Sequence, residues 1–224
     1  MSVAVGASTP AAVVGLEHAS ELMRSVADYV QGADQPDILD ISRRSLNRGI
    51  DRVNSRTWKD LTTTQTITLV ADQRTYDLAA NIKKPLHCER MNGSSAAEGR
   101  YYYKEYKSLL EEHVYQSTSS SPSVYSIDYA ARKFVFNIPP SSDFVSSWPT
   151  AKLTAYIRLP YLTQPDDVHG APGEFNGYLI WEARAELAAI RGQDRSARFA
   201  EQKAASLWRG LIANDSDQMT DWDV

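Results

Sequence analysis

Four arginines stand four residues apart in "SRRSLNRGIDRVNSR" (42–56): Arg44, Arg48, Arg52 and Arg56. Residues at i and i+4 are neighbours on one side of a helix. Such a row suits one kind of chemistry, the pairing of guanidinium forks with carboxylates or phosphates. It faces either water or a partner. The other end of the chain offers anions. Residues 214–224, "NDSDQMTDWDV", hold four aspartates and no lysine or arginine, and Trp222 sits between Asp221 and Asp223. A tryptophan flanked by carboxylates can act as a docking anchor with electrostatic steering. A disordered, solubilising end has the same composition. Arg44, Arg48, Arg52, Arg56, Asp221, Trp222 and Asp223 are the candidate partner-binding residues.

Catalytic patterns are sparse. The histidines are His18, His87, His113 and His169, and none stands in an HxxxH, HxH or HExxH spacing. His87 and Cys88 are adjacent in a strand-like run, where successive side chains point to opposite faces, so one metal ion cannot easily use both. No GxSxG, P-loop or GxGxxG pattern occurs. The doublets Glu111–Glu112 and Asp166–Asp167 read as a solvated helix end and a loop; carboxylates adjacent in sequence do not by themselves give an acid–base pair. No catalytic, cofactor-binding or metal residue is assigned. "RYYYKEYK" (100–107) mixes aromatics with cations and could stack on single-stranded nucleic acid. A half-exposed strand explains it better, with Tyr101 and Tyr103 on one side and Tyr102 on the other.

The composition supports interfaces more than nucleic-acid grip. The chain has 224 residues, 42% of them hydrophobic, and a net charge of −4. Outside residues 214–224 it holds 24 acidic and 24 basic residues, which is neutral. Nucleic-acid binders normally show a basic face. The 16 arginines outnumber the 8 lysines, and arginine is the cation suited to buried and interfacial pairing. Cys88 is the one cysteine, so no disulfide forms within the chain. The N-terminal residues resemble no signal peptide, and no apolar run reaches the roughly 20 residues of a membrane span. The chain reads as a soluble product of a reducing cytoplasm.

The elements that must position these residues follow from periodicity. Residues 1–15 are small and uncharged and read as a flexible arm. Leu16, Ala19, Leu22, Met23, Val26 and Val30 recur at helical spacing. A second helix opens with Asp34 as candidate cap and Pro36 in its first turn. Its apolar line is Leu39, Leu46, Ile50, Val53 and Thr57, with the arginine row on another side. Gly49 in mid-helix permits a close helix approach. The period then shortens. "TQTITLVADQRTYDL" (64–78) reads as a strand pair with a turn at "ADQR", and "PLHCERMN" (85–92) as another strand. "RYYYKEYKSLLEEHVY" (100–115) reads as a strand running into a short helix. "SVYSIDYAARKFVFNIPP" (123–140) reads as a hairpin with Val124, Ser126 and Asp128 against Phe134, Phe136 and Ile138. In "AKLTAYIRLPY" (151–161), Leu153, Ala155 and Ile157 share a face. Two final helices carry the stripes Tyr178, Leu179, Ala183, Leu187, Ile190 and Phe199, Ala200, Ala204, Leu207, Trp208, Leu211. Their short connection makes them antiparallel.

The order of these segments resembles the head-to-tail adaptor (connector) proteins of short-tailed bacteriophages. The similarity runs through "VNSRTW" (53–58), "RTYDLAANIKKPLHCERMNG" (74–93) and "YKEYKSLLEEH" (103–113). It continues through "PSVYSIDYAARKFVFNIPP" (122–140), "AYIRLPYLTQPDD" (155–167) and "APGEFNGYLIWEARAELAAIRGQDRSARFAEQ" (171–202). The order, more than any one motif, carries the resemblance. It implies a virion protein of the head-tail junction, assembled in the host cytoplasm. Such proteins form a homo-oligomeric ring, usually of twelve copies, between the portal protein and the tail or nozzle protein. Genome DNA passes through the lumen without sequence recognition. One adaptor-like subgroup has been linked to peptidoglycan cleavage, but no catalytic residue carries over.

The expected fold is α+β: a four-helix bundle formed by the N- and C-terminal helix pairs (16–61 and 171–213) with an inserted antiparallel β-rich lobe (62–170). The flexible arm (1–15) and the acidic tail (214–224) extend from it. The expected function is structural and non-enzymatic. The alternatives are a virion-associated peptidoglycan hydrolase and a single-strand nucleic-acid-binding protein.

Overall fold

A computed structural model describes residues 18–32, 35–113, 120–167 and 172–217. The elements run α1 (Ala19–Asp28), α2 (Pro36–Asn54), β1 (Thr62–Thr68), β2 (Thr75–Asp77), β3 (Ile82–Met91) and β4 (Ala97–Tyr103). Then come α3 (Tyr106–His113), β5 (Val124–Asp128), β6 (Lys133–Phe136), α4 (Ser142–Ser147), β7 (Thr150–Ile157), α5 (Gly173–Ile190) and α6 (Asp194–Asp217). They fall into two compact units. Thr62–Ile157 forms one; the described residues up to Leu61 join those from Arg158 onward in the other.

In the helical unit α5 is central, because its apolar residues are spread around the helix. It buries Phe175, Tyr178, Leu179, Ala183, Ala185, Leu187 and Ala188. Apolar residues so spread must be covered on several sides, and α1, α2 and α6 each pack on it. Pro36 sits in the first turn of α2, where its missing N–H costs nothing. Gln35 holds the cap position; the expected cap, Asp34, lies outside the described residues. The N–H groups of Ala19 and Ser20 at the start of α1 donate to the carbonyls of Asp167 (2.8 Å) and Pro165 (3.0 Å). Between α5 and α6 the chain reverses at Gly192, whose φ of 68° is left-handed. The N–H groups of Gly192 and Gln193 close back onto the carbonyls of Ala189 and Ala188, which ends α5 as glycine commonly does.

The other unit is a curled seven-stranded sheet, a half-barrel, in the order β1-β7-β3-β4-β5-β6-β2. Its concave side is packed with Tyr76, Cys88, Tyr101, Tyr125, Ile127, Phe134, Phe136 and Leu153. Pro85 lies within β3 beside a register shift against β7, where its lack of an N–H is tolerated. Ser141 caps α4, its hydroxyl accepting from the Phe144 N–H at 3.2 Å, and Phe144 closes over the core.

Several expectations are overturned. The fold is α+β, but it is not a four-helix bundle carrying an inserted antiparallel lobe. Six helices are described, and α3 and α4 belong with the strands. α6 packs on α5 without comparable contact to α1 or α2, because its buried stripe is thin and mostly alanine. The sheet is mixed: β4 and β5 run parallel, since α3 lies between them in the chain and carries it back before β5 begins. β1 and β2 do not pair. They are the two edges of the sheet, and the Gln65 side chain bridges them, donating to the Asp77 carbonyl (2.9 Å) and accepting from the Ala79 N–H (3.0 Å). The hairpin of β5 and β6 exists, with Tyr125 opposite Phe136 and Ile127 opposite Phe134. Tyr125 and Ile127, not Val124 and Asp128, join Phe134 and Phe136 in the core, and Ser126 is buried as well. Finally α6 continues to Asp217, so residues 214–217 are helix.

Candidate assembly interface

The arginine row lies along α2, and each member meets a carboxylate of its own chain. Arg44 reaches back one turn to Asp40 (2.6 Å), which also takes Arg43 at 2.7 Å. These two guanidinium groups, Arg43 first, hold the Asp40 carboxyl below its ordinary range. Arg48 pairs with Glu186, and Arg52 pairs with Glu182 at 2.5 Å. Both glutamates are on α5, four residues apart, so an ordered ladder of two cations faces two anions across the α2–α5 contact. The Tyr178 hydroxyl beneath Arg52, and then Glu182, raise the pKa of Arg52 further. Both arginines of the ladder are largely exposed, so each rung contributes about 0.2–1 kcal/mol.

Arg56 is different. Its guanidinium lies 3.2 Å from Asp215 of α6 and stacks 5.2 Å from the Trp58 ring. The Asp215 side chain is only 7% exposed and also accepts from the Lys59 N–H at 3.1 Å. Trp58 centres an aromatic group with Phe175 and Trp208, both edge-on at 5.2 Å, and its indole N–H donates to the Val53 carbonyl.

Another face of α2 carries residues that the sequence reading passed over. Asn47 and Asn54 each clip one backbone position of the segment returning from the sheet. Asn47 donates to the Leu162 carbonyl (3.0 Å) and accepts from its N–H (2.8 Å). Asn54 does the same to Leu159 at 3.0 and 2.8 Å. Two asparagines seven apart share a helix face, and asparagine is a poor mid-helix residue unless its amide is used; that spacing was the available signal. Between them Asp51 accepts from the Tyr161 hydroxyl, which raises the Tyr161 pKa.

Beside the ladder is a cleft of about 620 Å³, floored by Tyr178 and Ala185 and walled by Arg48, Arg52, Glu201 and Trp208. Asp221, Trp222 and Asp223 lie outside the described residues, as do the 1–15 arm and His169. In the sheet unit Cys88 points inward, where burial pushes its thiol pKa up, and His87 points outward, 4.0 Å from Glu89. Among the described residues no group of three or more His, Cys, Asp or Glu is placed to hold a metal ion. The Asp167 carboxylate accepts from the Thr163 N–H and hydroxyl and from the Gln164 N–H, a loop-closing role. Tyr101 is buried and Tyr102 is 74% exposed. No described helix is long and apolar enough to cross a membrane.

Comparison with known proteins gives two matches of unequal weight. A steroid (22S)-hydroxylase of Brachypodium distachyon is 36% identical over 74 residues, which cover 33% of this chain and 14% of that protein. This chain thus spans about a seventh of that relative's length, and the overlap carries no statement about activity. The family model for the SU10 adaptor protein matches residues 18–223, a stretch that includes both units and every described element. The chain therefore belongs to the SU10 adaptor family and is a structural adaptor protein of a bacteriophage.

Proposed function

We propose that the chain assembles as a ring of about a dozen copies at the head-tail junction, binding the portal on one side and a tail or nozzle protein on the other, with DNA passing through the lumen. The observation that carries this reading is the family match from residue 18 to residue 223. The near-neutral charge outside residues 214–224 agrees with it, because a strongly basic lumen would hold phosphates and slow passage.

In this reading Arg44, Arg48 and Arg52 contribute to docking as cations already held in place by Asp40, Glu186 and Glu182. Preordering a charged surface lowers the entropy lost on association. Arg56 steadies that surface from behind through Asp215. Asp221, Trp222 and Asp223 supply a separate anchor toward the portal or a neighbouring copy.

The test is assembly on purified portal followed by electron microscopy. The wild-type chain should form a ring below the portal. Arg44→Gln, Arg48→Gln and Arg52→Gln together should leave a folded monomer that no longer decorates it, with Arg56 kept to satisfy Asp215. Removal of residues 218–224 should weaken portal binding. A wild-type chain that never associates with portal or with itself defeats the proposal.

A further inference from the structure

We propose that neighbouring copies meet through α6, a ridge on one flank of that helix in one copy entering the cleft beside the other flank in the next. The inference rests on the ring reading above.

α6 is 24 residues long, yet among its described side chains the buried ones are Ala197, Ala200, Ala204, Leu211 and Asp215. A helix that packs along one stripe leaves both flanks partly exposed. On one flank Phe199, Lys203 and Leu207 recur every four residues. Phe199 is 49% and Leu207 37% exposed; one edge of the ridge rests on α5, where Phe199 meets Trp181 edge-on at 5.8 Å, and the Lys203 ammonium sits 5.7 Å from the Phe199 ring. On the other flank Glu201, Ala205 and Trp208 face the cleft. At 3.6 residues per turn the two triplets are on nearly opposite sides of the helix.

Charge identifies the occupant. Inside the cleft Arg48 and Arg52 are matched by Glu186 and Glu182, and Glu201 is the carboxylate left over. On the ridge Lys203 is a cation with no carboxylate within ion-pair distance among the described residues. The two cannot satisfy each other within one chain, because residues at i and i+2 do not face each other on a helix. A second copy supplies both at once: its Lys203 meets Glu201, and its Phe199 and Leu207 cover Trp208 and the alanines. With three carboxylates to two arginines, the cleft repels a phosphate backbone. Ridge and cleft are different surfaces of one chain, so the contact is heterologous and propagates instead of stopping at a dimer, as a ring requires.

The experiment swaps the charges in the full-length chain. Lys203→Glu and Glu201→Lys, both exposed and each checked for a wild-type circular dichroism spectrum, should each weaken copy–copy association at least tenfold by mass photometry, with and without portal. The double variant should recover it. An equimolar mixture of the two single variants should recover it too, since every ridge then meets a cleft of opposite charge. Singles that assemble like the wild type, or a double variant that fails to recover, overturn the α6 contact while leaving the ring intact. Crosslinking of the cleft to portal in place of a second copy overturns it as well. A wild-type chain that stays monomeric even on portal overturns the ring reading, and this inference with it.

Discussion

Asp215 shows how one side chain can hold the helical unit together. It is nearly buried and receives a guanidinium and a backbone N–H, so removing it takes the acceptor from the Lys59 N–H and an ion pair from Arg56. Asp215→Ala should cost about 1–3 kcal/mol; Asp215→Asn, which keeps an acceptor for Lys59, should cost less. Urea titration of both variants checks the order. Nothing local marked this residue, because an aspartate in "NDSDQMTDWDV" looks like the other aspartates of that stretch, and only the fold brings Lys59 to it. Asp167 makes a pH-dependent contribution. Three donors lower its carboxyl pKa, the Gln164 and Thr163 N–H groups foremost. A depressed folded-state pKa gives stability that is present above the unfolded value and lost as pH falls through the folded one. Asp167→Asn should therefore lower Tm at pH 7. The gap to wild type should close below the ordinary value of 3.8; a gap constant from pH 7 to pH 2 would show that the carboxylate charge is irrelevant.

Helix α2 is the element whose sequence was read most completely, and the reasons are physical. Its proline start, its close approach and the Leu46, Ile50 and Val53 part of its apolar line act within one helix or across one contact, whereas Ile38 is buried where Leu39 was expected and Thr57 lies past the helix end. Gly49 shows the close approach: a Cβ there would come 2.8 Å from Leu179 Cδ2. Alanine favours helix over glycine by about 1 kcal/mol, and a leucine methyl can shift, so Gly49→Ala should change stability by less than about 1 kcal/mol. Gly49→Leu has no such escape and should cost about 1–3 kcal/mol by overpacking, measured by thermal denaturation. A leucine variant as stable as the wild type would mean α2 and α5 can move apart freely. Other elements were less legible, because their partners are distant in sequence. β1 and β2 look like a hairpin, with two strands and a turn, but β1 pairs with β7 and β2 with β6. In α6 the apolar positions were seen but not their side. Phe199 and Leu207 have the same spacing as a buried stripe, and only the placement of α5 against Ala200 and Ala204 shows that they lie at its margin, half exposed, with Phe199 edge-on to Trp181. The arginine row was visible at once, whereas its intrachain carboxylates on α5 were not.

At the scale of the molecule, the chain passes from one unit to the other at two points that are neighbours. Thr62, the first residue of β1, pairs with Tyr156 near the end of β7, and antiparallel partners stand about 4.5–5.5 Å apart. The sheet unit thus begins and ends at one place and encloses a core drawn entirely from its own residues. A unit with close ends and its own core meets the conditions for folding alone. Residues 62–157 expressed by themselves should give a cooperative thermal transition and retain burial of the Cys88 thiol, read as slow reaction with a thiol reagent until the unit melts. The complementary chain, with Leu61 joined to Arg158 through a short glycine–serine linker, should keep α1, α2, α5 and α6 packed. The two fragments also separate the assembly questions. If copies meet through α6, the linked helical fragment should self-associate with the same sensitivity to Lys203→Glu as the full chain, and the sheet fragment should stay monomeric. Self-association that follows the sheet fragment instead would move the ring contact to the strands and leave the ridge on α6 to another partner.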